Sequence, residues 1–182
     1  MPPQKAAKKS AKHHDPKHDS AKDLRRAHEH LGRVDILQRV LQPKQADDVK
    51  SLVTLAEQEL ENGHRKDAAD LLRAAEHFSF AARAHDTEEL EEISKDLTNV
   101  LSEEFAHLAM KAEEHWEHED ERHEPVIALY ESAMKHSQKA FQRGSYRQAM
   151  ELVRGAEALA HVKKHRPKEL QDGVETLMLS TS

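Results

Sequence analysis

Histidine is the residue type most able to do chemistry in this chain. Fifteen of its 182 residues are His, and a neutral imidazole is both a proton acceptor and the commonest transition-metal ligand near neutral pH. The densest donor run is Glu113-Glu-His-Trp-Glu-His-Glu-Asp-Glu-Arg-His123. Within it Glu114 and His118 stand on adjacent helical turns with His115 beside them, so Glu114, His115 and His118 form a candidate site for a divalent transition metal. His161 and His165 form a second candidate pair, at the spacing that lets two imidazoles on one helix reach one ion. The plainer alternative for both is a solvated, charged helix face.

Other chemistry is excluded by what the sequence lacks. There is no Cys, which removes disulfides, thiolate zinc sites, iron-sulfur ligation and cysteine nucleophiles. A ferritin-like di-iron bundle needs Glu-x-x-His on two helices. Only Glu104-Phe-Ala-His107 and Glu61-Asn-Gly-His64 have that spacing, and Gly63 breaks the second. No nucleophile elbow, zincin motif or phosphate-binding glycine loop occurs, so the expectation is a protein that is not an enzyme. No motif requires a cofactor; a divalent transition metal enters only with the histidine reading.

Charge is unevenly distributed. Residues 1–22 carry six Lys against Asp15 and Asp19, while residues 86–124 hold fifteen acids against Lys95, Lys111 and Arg122. Lys5, Lys8, Lys9 and Lys12 of the tail are therefore candidates for weak nucleic-acid contact through phosphates, or for contact with the chain's own acidic helix. Glu113, Glu117, Glu119, Asp120 and Glu121 crowd a helix C-terminus, where acids oppose the macrodipole and the end frays unless cations or a partner neutralise it. That local conflict marks a candidate surface for a protein partner or for self-association. The N-terminus has no apolar run after its basic residues and no stretch is long enough to cross a bilayer, so a soluble, cytoplasmic protein is expected.

Helices must position these groups. Aromatic residues make up only 4% and Gly numbers five, which disfavours sandwiches and barrels. The expectation is all-α: about seven helices in an antiparallel bundle around one long acidic helix, as a single domain over 20–182 after a disordered basic tail, 1–19. The first helix runs from Ser20 until Pro43 ends it, the second from Ala46 to Glu61, and the third to His85. Asp86-Thr-Glu-Glu89 reads as a capping box opening the long fourth helix, which reaches Arg122. The fifth begins at Pro125, the sixth covers Ser145 to Lys164, and a short seventh carries Leu170, Val174 and Leu177.

The chain also resembles itself. A shift of 81 residues lays Gly63–Glu76 over Gly144–Glu157 with six of fourteen positions identical, among them Gly63/Gly144, Ala68/Ala149, Arg73/Arg154 and Glu76/Glu157. This predicts a duplicated helix-hairpin unit over 46–97 and 127–178, its small residues allowing close helix approach. Arg73/Glu76 and Arg154/Glu157 are spaced as intrahelical ion pairs. The order of small residue, turn Gly, Ala, large apolar residue and Ala resembles the helix hairpin of tetratricopeptide repeats, a resemblance that implies protein or peptide binding. The Ala-Ala-Glu76 and Gly-Ala-Glu157 endings are similar to the helical HEPN family, whose ribonucleases pair an Arg with a following His; Arg154 and His161 come closest to that pair. The leading functional expectation is a non-enzymatic interaction or scaffolding module that binds a protein through its acidic, His-rich helix. A metal-binding helical bundle is the alternative, and an RNA-acting protein the third reading.

Overall fold

The computed structural model describes residues 16–86, 95–119 and 121–165. Among them are six helices and no strand: α1 (Pro16–Gln38), α2 (Pro43–Glu61), α3 (Arg65–Asp86), α4 (Lys95–Glu117), α5 (Glu124–Gln142) and α6 (Tyr146–Ala160). None is long and apolar enough to cross a membrane. The expected seventh helix, most of the capping box and the tail lysines Lys5, Lys8, Lys9 and Lys12 lie outside the described residues. Asp86, expected to open α4, is instead the last residue of α3.

Proline decides two of the boundaries. Pro43, expected to end α1, opens α2, because a residue without an N–H loses nothing in the first turn. Gln42 precedes it in an extended conformation and donates its backbone N–H to Gln45 Oε1 at 3.3 Å. α1 therefore stops earlier, at Gln38, and the chain turns through Val40 and Leu41, whose N–H groups return to the carbonyls of Leu37 and Gln38. Pro125 plays the same part for α5, which His123 precedes. α1 begins at Pro16, inside the segment expected to be a disordered tail.

Two glycines close the short connections. Gly63 (φ 83°) and Gly144 (φ 86°) adopt the left-handed conformation that a Cβ disfavours, and each connection passes straight into the next helix. α5 begins 81 residues after α2, and α6 81 residues after α3.

α3 and α6 form the centre and pack on each other; α1 and α2 flank α3, and α4 and α5 flank α6. The acidic helix expected at the centre, α4, thus lies at the edge. Its expected seam is correspondingly shallow: Ala112 is buried, but Leu101 and Leu108 are only half-buried. The centre is built from small residues, with Ala68, Ala69, Ala74 and Ala75 of α3 and Ala149, Ala156 and Ala158 of α6 fully buried. Such surfaces let helix axes approach closely. At Gly155 the ring of Phe78 occupies the space a Cβ would need, its nearest carbon 2.3 Å from that position.

One cation fastens the edge helix. Arg122 is only 7% exposed and donates from Nη2 to the carbonyls of His115 and Trp116 at the end of α4. From Nη1 it donates to the carbonyls of Ala160 and Val162, at and beyond the end of α6. Two helix C-termini, each with unpaired carbonyls and partial negative charge, share one guanidinium. The guanidinium lies 4.0 Å over the Trp116 ring, which stacks at 3.7 Å on Tyr130. Burial lowers the Arg122 pKa and, with nearby Glu113, pushes the Tyr130 hydroxyl up to about 12. The conflict read at the acidic end of α4 is met by this internal cation.

Candidate metal-binding site

The connection between α2 and α3 brings together residues that chemistry would not leave idle. Glu59 lies one turn after Ala56 on the apolar stripe of α2, so helical geometry forces its carboxylate inward, and it is 4% exposed. A buried carboxylate is ordinarily neutralised by Arg or Lys. Here its ion-pair partners are histidines: His64 Nδ1 stands 2.6 Å from Oε2, and His123 Nε2 stands 3.4 Å from Oε1. Gly63 sets the first contact by turning the chain so that His64 folds back on the last turn of α2; the His64 N–H donates to the Glu59 carbonyl at 2.8 Å.

The remaining donors arrive from elsewhere in the chain. His165 follows α6, and its ring stacks on His64 with centroids 3.7 Å apart. Asp67, in the first turn of α3 and 5% exposed, holds that strand of chain twice: Oδ2 lies 2.5 Å from His165 Nε2, and Oδ1 accepts the Lys163 N–H at 3.3 Å. Ligand atoms of Glu59, His64 and His165 all lie within 4.8 Å of one another. His123 Nε2 is buried and makes no hydrogen bond, although it points at Glu59. Buried polar atoms are otherwise almost always paired, so this imidazole nitrogen stands out in the cluster.

A second group forms where α4 and α6 end. His161 Nε2 lies 2.7 Å from Glu157 Oε1, while Arg73 Nη1 donates to Glu157 Oε2 at 3.1 Å. The His115 and His161 rings lie 4.1 Å apart, and His115, Glu157 and His161 also have ligand atoms within 4.8 Å of one another. The hydrogen bond with His161 dominates over burial, and with the charge of Arg73 it draws the Glu157 carboxyl down to about 2. Burial and the neighbouring His161 pull the His115 imidazole below its ordinary value.

The structure redistributes the residues singled out from sequence. α6 ends at Ala160, so His161 and His165 do not share a helix face; each joins a different cluster. His161 does have a Glu of its own helix at hand, Glu157 one turn earlier. His115 points to His161 and Glu157, while His118 bonds through Nδ1 to the Glu114 carbonyl and lines a cavity that His115 and His161 also border. Of the acidic surface, Glu113, Glu117 and Glu121 are exposed, Glu119 pairs with Lys163 at 3.0 Å, and Asp120 lies outside the described residues. Arg73 and Arg154 reach carboxylates other than the expected Glu76 and Glu157, some across helices and some within them. Arg73 crosses to Glu157, Glu76 is held by His30 and Arg33 of α1, and Arg154 binds Glu104 and Glu151.

Sequence reasoning missed Glu59, His64, Asp67, His123 and Glu157. A signal existed for three of them: an acid in phase with the apolar stripe of its helix, as Glu59, Asp67 and Glu157 are, is buried by the same geometry that buries the stripe. Nothing in the sequence joins His123 or His165 to them, because those contacts span long separations. No protein-family model, no curated protein and no solved structure matches this chain.

Proposed function

We propose that this chain is a non-enzymatic helical module that holds a divalent transition cation at Glu59, His64, His165 and His123. In this reading its two hairpins are copies of one antiparallel unit; the first supplies Glu59 and His64, while His123 precedes α5 and His165 follows α6. The observation behind it is a buried carboxylate whose ion-pair partners are imidazoles, one of which has an otherwise unpaired buried nitrogen. Two imidazoles and one carboxylate converge, and His123 faces the same carboxylate as a further donor, a set that suits Zn²⁺ and its neighbours Ni²⁺ and Cu²⁺, which take four or more such ligands at about 2.0–2.2 Å. Asp67 serves as the outer carboxylate that orients His165, as such groups commonly do for ligating histidines.

The test is calorimetric titration of untagged, chelator-stripped protein with ZnCl₂. The expected first equivalent binds more tightly than about 10 μM, or roughly −7 kcal/mol. Glu59→Gln combined with His165→Ala should weaken it by more than about 100-fold, or about 2.7 kcal/mol, in protein whose helical circular dichroism is unchanged. Absence of a site of that strength, or one indifferent to both substitutions, overturns the proposal.

A second reading, binding of a protein partner, is favoured by Ile36, Val40, Val100 and Met110, which are 57–66% exposed. Large apolar side chains held in water lose nothing when a partner covers them. Pull-down with Ile36→Lys and Met110→Lys variants, compared with the Zn²⁺-site variants, separates the two roles.

A further inference from the structure

We propose a second, weaker transition-metal site formed by His115 of α4, Glu157 of α6 and His161 just beyond it. It shares the chemistry of the first site and none of its ligands, so either can fail alone. Two imidazoles and a carboxylate already converge there, with ligand atoms within 4.8 Å of one another. The two imidazoles border a cavity of about 350 Å³ that Glu114, His118 and Glu119 also line, leaving room for further donors or water to complete a coordination shell. The segment that Arg122 and Asp67 hold in place presents His161 to this group, and four residues later it presents His165 to the other.

The difference in strength follows from the neighbours. Glu157 Oε2 is engaged by Arg73, and Lys66 and Lys163 line the cavity, so a cation entering here meets positive charge and must compete with a guanidinium for its carboxylate. The ion-pair partners of Glu59, His64 and His123, are imidazoles, which surrender a proton to a metal far more readily than Arg does. Arg73 is thus an internal competitor: it sets the affinity of the second site without being a ligand.

The chain's one tryptophan, Trp116, adjoins His115 and provides the readout. Full-length protein carrying Glu59→Gln and His165→Ala is titrated with CuCl₂ while Trp116 emission is followed, since bound Cu²⁺ quenches a neighbouring indole. Saturable quenching with one equivalent is expected, abolished by adding His115→Gln and His161→Gln. Arg73→Gln should tighten it at least about fivefold, or about 1 kcal/mol. Quenching that survives both His substitutions, or that Arg73→Gln leaves unchanged or weaker, overturns the second site. If quenching behaves as expected while the calorimetry of the first site fails, the first proposal falls and this one stands; the reverse pattern removes only this one. Circular dichroism of each variant, with the conservative Gln replacements, separates lost binding from lost fold.

Discussion

The connection at 62–64 and the connection at 143–145 have the same backbone and opposite chemistry. In the first, the N–H groups of Asn62, Gly63, His64 and Ala68 donate to the carbonyls of Gln58, Leu60, Glu59 and His64. In the second, those of Arg143, Gly144, Ser145 and Ala149 donate to Lys139, Phe141, Ala140 and Ser145, the same pattern 81 residues on. Yet where the first has Glu59, His64 and Asp67, the second has Ala140, Ser145 and Gln148. The backbone geometry therefore does not need the donor groups. A helix pair closed by Gly and packed through Ala is sufficient, and the charged cluster is present at one of the two connections.

The asymmetry reverses at the other end. Before α2 stands Leu41, packed against the core; before α5 stands Arg122. Arg122 takes up the carbonyls at Ala160 and Val162, and α6 stops after 15 residues, whereas α3, with no such cation at the corresponding turn, continues for 22. The early end of α6 is what frees His161 and His165 to leave the helix and join separate clusters.

The largest expected effect tests that reversal. Arg122→Ala leaves the carbonyls of two helix ends without their buried donor and should destabilise the fold by about 4 kcal/mol in denaturant unfolding, with Arg122→Lys recovering little because an ammonium cannot fork between two helices. Leu41→Ala, its positional counterpart, should cost about 2 kcal/mol at most, as a partly exposed apolar truncation. Equal losses would refute the distinction. Next, rewriting the first connection as the second, with Glu59→Ala, His64→Ser and Asp67→Gln, should remove the tight Zn²⁺ equivalent, at least about 2.7 kcal/mol of binding, without lowering apo stability. A clear loss of melting temperature in the metal-free variant would instead make the cluster structural.

Glu76 and Glu157 occupy matching positions and both carboxyls lie below their ordinary range. For Glu76 burial opposes this, and the bonds from Arg33 and His30 outweigh it. A depressed carboxyl contributes stability that is present above its unfolded value near 4.3 and is lost as the pH falls through its folded value. For Glu157 that window closes at about 2. Glu157→Gln should therefore remove about 2 kcal/mol at pH 7, Glu76→Gln less, and each should flatten the acid limb of a stability–pH curve. A variant retaining the wild-type slope between pH 5 and 2 would contradict the assignment. The smallest effects belong to Gly63→Ala and Gly144→Ala, each about 1 kcal/mol from the positive φ and, given the shared backbone, equal within error.

The all-helical class was legible because the apolar residues recur at helical spacing from Leu24 to Ala160, and the two glycine stops were legible because Asn62-Gly63 and Gly144 interrupt that spacing. Pro43 was misread as a stop, since the same residue that cannot continue one helix is suited to begin the next. The acidic run drew attention to α4 by its density, but density of charge says where water is favoured, not where donors converge. The converging groups were single acids hidden in apolar stripes, each with one nearby histidine and others brought in from 42 to 106 residues away, and a one-dimensional pattern carries no record of those distant pairings.

The guanidinium of Arg122 also has a place in time. Its bond to the Val162 carbonyl spans 40 residues and encloses all of α5 and α6. Closing a loop of that length costs chain entropy, and we expect the helices inside it to form first. If Arg122 makes this contact after the folding barrier, its removal should hasten unfolding and leave the refolding rate almost untouched, a division that stopped-flow kinetics of Arg122→Ala would measure directly.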